Sequence, residues 1–111
     1  MVGTFSINFR KTVQPLTAEH QEERIPVSGY IKEIITHFPP GCNSLIGIRI
    51  FLNGKQILPQ VGVVALDGAT ERFAIIEQCK KGDWLRVDWE NHDDTYSHTV
   101  SIIVNGEGHE S

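Results

Sequence analysis

Hydrophobic and polar residues alternate with a period of two along most of this chain. In residues 4–13, the apolar residues Phe5, Ile7, Phe9 and Val13 fall on one side, and most residues between them are polar. A period of two is typical of a strand that buries one face. The pattern therefore predicts a first strand over 4–13.

The same alternation, interrupted by turn residues, predicts further strands. Their ranges are 25–38 with a bend at Gly29, 46–52, 55–58, 61–66, 72–77, 83–90 and 98–104. Asn53-Gly54 is the preferred two-residue turn of a β-hairpin, because both positions must accept a positive φ. The polar run 15–24 has no apolar face, so we expect a loop there with at most one helical turn, capped by Thr17.

About eight short strands at regular spacing predict an all-β fold. We expect a single antiparallel β-sandwich with jelly-roll or immunoglobulin-like connectivity. The 111 residues suit one domain, which we place at 1–104. The remaining residues, 105–111, are polar and contain two glycines, so a loose C-terminal tail is expected.

Composition and charge narrow the classes of function. The net charge of -4 argues against a nucleic-acid partner, which a basic surface would recognise. No apolar run approaches the roughly 20 residues needed to cross a bilayer. The first residues lack a basic segment followed by an apolar one, so we expect no signal peptide. The chain also has no nucleophile elbow, phosphate-binding glycine loop or HExxH motif, so we expect no enzyme.

The cysteines and the densest polar cluster give little support for a metal or another cofactor. Cys42 and Cys79 lie 37 positions apart without metal-binding spacing, and we expect two reduced thiols, with one disulfide as the alternative. The weak metal-ligand candidates are His92, Asp93, Asp94 and His98. Two carboxylates and two imidazoles suit a divalent cation, but Asn-His-Asp-Asp is also ordinary turn composition. We expect the turn, with no metal and no cofactor.

Aromatic residues offer a second kind of site. The candidates for a platform that stacks on sugar rings are Trp84, Trp89, Tyr96 and Tyr30. In the strand 83–90, Trp89 shares its parity with Leu85 and Val87, so it should point inward and Trp84 outward. A single exposed Trp in a strand is more typical of packing under a loop or of a protein interface. The predicted interface residues are Trp84, Ile57, Leu58 and Tyr96. Ile57 and Leu58 are included because the hairpin arm that contains them has few charged residues to protect its edge.

Two family resemblances add context. The segment 35–47, with His37-Phe38-Pro39-Pro40-Gly41-Cys42, resembles small all-β virion-associated proteins of tailed phages, as do Gln56-Ile57-Leu58-Pro59 and the later Asn91, Asp93 and His98-Thr99-Val100. This resemblance implies a particle component, found in the virion or in the host cytoplasm during assembly. The segment 82–100 is similar to a strand pair of cupredoxin domains. Beyond His98, however, the chain has no Cys or Met for a copper site.

The observations together favour a non-enzymatic structural or interaction protein, such as a capsid decoration or accessory protein. We expect it to act through self-association as a homo-oligomer or by docking on a particle. The alternative hypothesis is a carbohydrate-binding β-sandwich module, whose partner would be a glycan.

Overall fold

The computed structural model describes residues 2–60 and 62–109, with the backbone alone for Val2 and His109. It contains the strands β1 (Val2–Val13), β2 (Ala18–Arg24), β3 (Gly29–Phe38), β4 (Ile46–Leu52), β5 (Lys55–Leu58), β6 (Ala69–Cys79), β7 (Trp84–Asn91) and β8 (His98–His109). They form two four-stranded antiparallel sheets in the orders β1-β8-β3-β6 and β2-β7-β4-β5. The predicted all-β sandwich is confirmed. Among the described elements there is no apolar helix long enough to span a membrane.

The strand pairing distinguishes between the two predicted connectivities. The first strand pairs with the last, the second with the seventh, the third with the sixth and the fourth with the fifth. Such nested pairing arises when one long antiparallel hairpin, with arms β1–β4 and β5–β8, is wound into two sheets. This is the jelly-roll arrangement rather than the immunoglobulin one.

The core lies between the two sheets and follows the predicted parity. The inward residues Ile46, Ile48 and Ile50 of β4 are fully buried. Trp89 is also fully buried, and its indole N–H donates to the carbonyl oxygen of Val100 at 3.2 Å. Trp84, on the opposite face of β7, is 42% exposed. The predicted inward and outward assignments of the two tryptophans are confirmed.

The Asn53-Gly54 turn joins β4 to β5, as predicted. Asn53 has φ 49° and Gly54 has φ 83°, so both adopt the left-handed backbone that the turn requires. The turn is also tied to the start of β7, because the Trp84 N–H donates to Asn53 Oδ1 at 3.0 Å. The Asn53 N–H in turn donates to the Trp84 carbonyl oxygen at 2.9 Å.

The expectation of a loop over 15–24 is wrong for most of that range. Residues 18–24 form β2, an edge strand paired with β7. All of its side chains except that of Gln21 are exposed on both faces, so no alternation is visible in the sequence. Charged residues on an edge strand prevent it from pairing with other chains, which accounts for the composition. Thr17 does not cap a helical turn; its hydroxyl donates to the Gln14 carbonyl oxygen at 2.8 Å.

Two other predicted boundaries also change. The range 61–66 is not a strand where the structure describes it; Val64 makes a single bridge to Ile48, and Val61 lies outside the described residues. The stretch predicted from residue 25 becomes a strand at Gly29, after a bend over 26–28.

The expected loose tail is wrong over residues 105–109. These residues continue β8 and pair with both β1 and β3, so they form an inner strand of the sheet. Gly106 permits close packing, because a Cβ there would overlap the Phe5 ring and lie 2.6 Å from the Tyr30 carbonyl oxygen. The glycines suggested mobility, but they are required where neighbouring side chains lie directly on the strand. Residues 110 and 111 lie outside the described part.

The molecule is elongated, measuring 50 Å by 22 Å by 22 Å. The connections 14–17, 39–45, 59–68 and 92–97 lie at one end, which we call the loop end. The connections 25–28, 53–54 and 80–83 lie at the other, which we call the hairpin end. Cys42 is at the loop end and Cys79 at the hairpin end; both thiols are buried and free, so the disulfide alternative is excluded. Burial raises the pKa of both thiols.

Candidate functional site

The loops at the loop end are joined by backbone hydrogen bonds. The Leu16 N–H in the β1–β2 loop donates to the Asp93 carbonyl oxygen in the β7–β8 loop at 3.1 Å. The His92 N–H, in that same loop, donates to the Leu45 carbonyl oxygen in the β3–β4 loop at 2.7 Å. Three connections distant in sequence therefore form one continuous surface.

The fourth connection, between β5 and β6, is attached through Asp67. Its Oδ1 accepts hydrogen bonds from the N–H groups of Gly41 and Asn43, both at 3.0 Å. The Gly68 N–H donates to the Pro39 carbonyl oxygen at 3.3 Å. Residues 67 and 68 therefore form hydrogen bonds along the whole Pro-Pro-Gly-Cys segment, from Pro39 to Asn43.

Beneath this surface, Asp93 organises the β7–β8 loop. Its Oδ2 lies 2.8 Å from Nε2 of His98, and its Oδ1 accepts from the N–H groups of Thr95 at 2.9 Å and Tyr96 at 3.2 Å. The His98 hydrogen bond, followed by that of the Thr95 N–H, holds the pKa of Asp93 below its ordinary value. The carboxylate is thus ionised at neutral pH and bonded at both oxygens.

Asn91 connects that loop to the end of β1. Its side chain is buried, and its Nδ2 donates to the carbonyl oxygens of Val13 and Tyr96, both at 3.0 Å. Its Oδ1 accepts from the Asp93 N–H at 2.9 Å. Buried polar groups that are fully hydrogen-bonded in this way rigidify the backbone around them.

Large apolar side chains are exposed on this rigid base. Leu16 is 68% exposed, Tyr96 67% and Leu45 36%. Leu16 also has φ 56°, a left-handed backbone that costs a residue with a Cβ about 1–2 kcal/mol. A strained residue that presents an apolar side chain to solvent does not stabilise the fold. Such strain is typical of functional sites, so the loop end is the candidate site.

The structure separates the four weak metal-ligand candidates. Asp93 and His98 bond to each other, and His92 Nε2 lies 3.3 Å from Glu90 Oε1. Asp94 accepts a hydrogen bond of 2.8 Å from the Thr95 hydroxyl. In residues 2–60 and 62–109, no three His, Cys, Asp or Glu side chains converge on a common point.

The four predicted interface residues fall into two groups. Tyr96 and Trp84 are exposed, at the loop end and the hairpin end respectively. Ile57 and Leu58 are only 6% and 8% exposed, so the expectation that they form an exposed interface is wrong. The register of β4 against β5 shifts at this point, and such a bulge allows two successive side chains to point into the core.

The aromatic residues do not form a common platform. Tyr30 is on the β1-β8-β3-β6 sheet, whereas Trp84 is on the opposite sheet and Trp89 is buried. The Arg24 guanidinium lies 4.0 Å from the centroid of the Trp84 ring and is held by a hydrogen bond of 3.1 Å to the Gly82 carbonyl oxygen. One face of the exposed tryptophan is therefore already occupied.

Two surface grooves lie outside the loop end. One, of about 140 Å³, lies on the outer face of β2, β7 and β4. It is smaller than the roughly 300 Å³ of the smallest typical ligand pockets. Four of its charged residues are paired, Arg49 with Glu90 at 3.6 Å and Arg86 with Asp88 at 2.6 Å. A wider groove, of about 670 Å³, lies between the edge strands β5 and β6.

Sequence reasoning identified Tyr96 and the Asn91–His98 turn but missed Leu16 and Leu45. Leu16 is an isolated apolar residue within a polar run, and this was the available signal. The network around Asn91 and Asp93 was not visible in the sequence, because it depends on Val13, which is 78 residues from Asn91.

The comparisons with known proteins bear on the fold alone. No protein-family model and no curated protein matches the chain. A crystal structure of FLHE matches with a TM-score of 0.52 and 18% identity, covering 97% of this chain and 98% of FLHE. The Yersinia pseudotuberculosis-derived mitogen matches with a TM-score of 0.50 and 10% identity, covering 96% and 88%. The chain is similar to these two proteins in its β-sandwich fold.

Proposed function

We propose that this protein is a non-enzymatic interaction protein that docks through its loop end, on further copies of itself or on a larger protein assembly. The observation that supports this most is that Leu16 has both a strained, left-handed backbone and a side chain exposed to solvent. Its N–H bonds to the carbonyl oxygen of Asp93, and the carboxylate of the same residue holds the Tyr96 N–H. Two exposed apolar side chains are thus presented from one rigid support.

This arrangement suits a protein partner. Binding energy at protein interfaces is concentrated in a few anchor residues, with tyrosine among the enriched types. A loop that is ordered before binding loses less conformational entropy in the complex. The hydrogen bonds of Asn91 and Asp93 supply that order here.

The particle context rests on the sequence resemblance. The segment 35–47, which resembles virion-associated proteins of tailed phages, contains the β3–β4 connection of the loop end. A capsid decoration or accessory protein would use such a surface to dock on its particle, in the virion or in the host cytoplasm during assembly. A carbohydrate-binding function has less support, because Arg24 covers one face of Trp84.

Photo-crosslinking tests the proposal. Replacing Tyr96 with the photoreactive amino acid benzoylphenylalanine places the probe at the loop end and keeps an aromatic ring. The same replacement at Asn8, which is exposed near the middle of β1 and away from both ends, is the control. We expect position 96 to give covalent protein adducts, with itself at micromolar concentration or with a particle preparation. Equal adducts from both positions would exclude the loop end, and glycan-array binding without adducts would support the carbohydrate module.

A further inference from the structure

The two ends of the molecule differ in charge. The four connections of the loop end contain the exposed carboxylates of Asp67 and Asp94, the buried Asp93 and no Lys or Arg. The hairpin end instead presents exposed cations, namely Arg24, Lys55, Lys80 and Lys81. Three carboxylates lie near these four cations. Asp83 accepts from the Lys80 N–H at 2.8 Å, Glu77 pairs with Lys55 at 3.2 Å, and Glu23 accepts from the Gln21 side chain at 3.0 Å. In the part of the chain that the structure describes, Arg24, Lys80 and Lys81 form no ion pair with a carboxylate.

Each end also has an exposed apolar surface. At the hairpin end this is Trp84, which is 42% exposed and fixed by the Arg24 guanidinium above its ring. At the loop end it consists of Leu16, Leu45 and Tyr96. One end is therefore an apolar surface bordered by cations, and the other is an apolar surface bordered by carboxylates.

These surfaces lie at opposite ends of the molecule, whose longest dimension is 50 Å. β7 runs from Trp84 at the hairpin end to Asn91 at the loop end, so one strand connects the two. Complementary surfaces on opposite ends of one chain meet only between different copies. Such a heterologous contact generates an open chain or a closed ring.

We propose that copies of this chain associate head to tail, with the loop end of one copy docked on the hairpin end of the next. This rests on the proposed docking function of the loop end and adds the partner surface. Leu16 and Tyr96 of one copy pack against Trp84 of the next, and Asp94 faces Lys80 and Lys81.

The charges favour this arrangement over a two-fold dimer. Two loop ends that met each other would bring Asp67 and Asp94 of one copy against the same residues of the other. Two hairpin ends would do the same with Lys80 and Lys81. Juxtaposed like charges disfavour an interface, and the head-to-tail contact pairs opposite charges.

Two variants, each lacking one surface, test the inference. Leu16→Asn with Tyr96→Ser removes the two most exposed apolar side chains of the loop end and leaves the hairpin end intact. Lys80→Glu with Lys81→Glu reverses the charge of the hairpin end and leaves the loop end intact. The hydrogen bonds formed at these four positions use backbone atoms, which the substitutions retain. Arg10→Glu with Lys32→Glu changes the net charge equally on the outer face of the other sheet and is the control.

Size exclusion coupled to light scattering measures the outcome, and circular dichroism melts establish that each variant is folded. We expect the wild type and the control to exceed the dimer mass as concentration rises. Each surface variant alone should remain at the 12.5 kDa monomer. An equimolar mixture of the two variants should form one heterodimer, because it restores a single intact contact.

The other outcomes separate the two proposals. If the lysine variant still dimerises and the loop-end variant does not, two loop ends meet each other; the head-to-tail inference then fails and the docking function stands. If the loop-end variant associates as the wild type does, the loop end is not the docking surface and both proposals fail. A wild type that stays monomeric up to millimolar concentration overturns the head-to-tail inference alone.

Discussion

Asp93 and His98 form a hydrogen-bonded pair of 2.8 Å in which each side chain is less than a tenth exposed. Because an ionised carboxylate only accepts hydrogen bonds, Nε2 of His98 is the donor. A buried charge is tolerated only where it is paired and hydrogen-bonded, and both oxygens of Asp93 meet that condition. The pair links the first residue of β8 to the loop that presents Tyr96.

Replacing Asp93 tests whether this pair supports the loop end. In Asp93→Asn, the amide oxygen can keep the backbone N–H groups, but its NH2 group then faces Nε2 of His98, whose ring must change tautomer to accept. The charge of the acceptor, which strengthens these hydrogen bonds, is lost in either orientation. We expect a lower melting temperature and weaker association through the loop end. The neighbouring Asp94→Asn is the control for stability, because Asp94 is exposed and bonds only to the Thr95 hydroxyl. Equal melting temperatures for the two variants would contradict the assigned role.

The same pair gives a pH dependence with a defined sign. Hydrogen bonds lower the pKa of Asp93 in the folded state, so its carboxylate stabilises the fold above the unfolded-state pKa of about 3.9. That contribution is lost as the pH falls through the lower folded-state pKa. The stability difference between the wild type and Asp93→Asn should shrink as the pH falls below about 4. Urea unfolding at a series of pH values measures it, and a difference that grows below about pH 4 would contradict the sign.

Leu16→Asn should separate stability from function. Asparagine adopts the left-handed backbone more readily than leucine, so the substitution relieves strain without removing the Leu16 N–H bond to Asp93. We expect the free energy of unfolding to rise by up to about 1 kcal/mol, while association is lost. Gain of stability with loss of binding is the usual sign of a residue retained for function. A variant that is both less stable and fully competent to associate would show that Leu16 is a structural residue.

Gly54→Val tests the hairpin turn against a matched glycine. A Cβ at Gly54 or at Gly3 would have no heavy atom within 4 Å among the contacts considered, so neither substitution causes a clash. The two positions differ in backbone, because only Gly54 has a positive φ, at 83°. We expect Gly54→Val to lower the free energy of unfolding by about 1–2 kcal/mol and Gly3→Val to leave it nearly unchanged. Equal melting temperatures would mean that the turn tolerates a β-branched residue.

The sequence predicted those parts of the fold that depend on local alternation with one buried face. Trp89 and Trp84 were assigned correctly because β7 buries every second residue. The sequence did not predict β2, because nearly all its side chains are exposed and no alternation is visible. It did not predict the strand over 105–109, because glycines that permit close packing cannot be distinguished in a sequence from glycines of a mobile tail. The choice of a jelly roll depends on the pairing of β1 with β8, which no local pattern specifies.

The candidate site was partly visible for the same reason. Tyr96 lies in a turn that the sequence marks clearly, so its exposure was predictable. The positive φ of Leu16 belongs to a four-residue turn in which Pro15 precedes Leu16 and the Thr17 N–H donates to the Gln14 carbonyl oxygen at 3.2 Å. The hydrogen bond that joins this turn to Asp93, 77 residues later in the chain, leaves no pattern in the neighbouring residues.

Thr36 offers a stabilising substitution away from the site. It is fully buried on the inner face of β3, and its hydroxyl has no hydrogen-bond partner among the residues that the structure describes. An unsatisfied buried hydroxyl is unfavourable, and valine replaces it with a methyl group of similar shape. We expect Thr36→Val to raise the free energy of unfolding by about 1 kcal/mol, measured by urea denaturation with an unchanged m-value. Thr12→Val is the control, because the Thr12 hydroxyl bonds to that of Thr99 at 2.7 Å and its loss should bring no gain. If Thr36→Val instead destabilises the fold, the hydroxyl makes a bond that the valine removes.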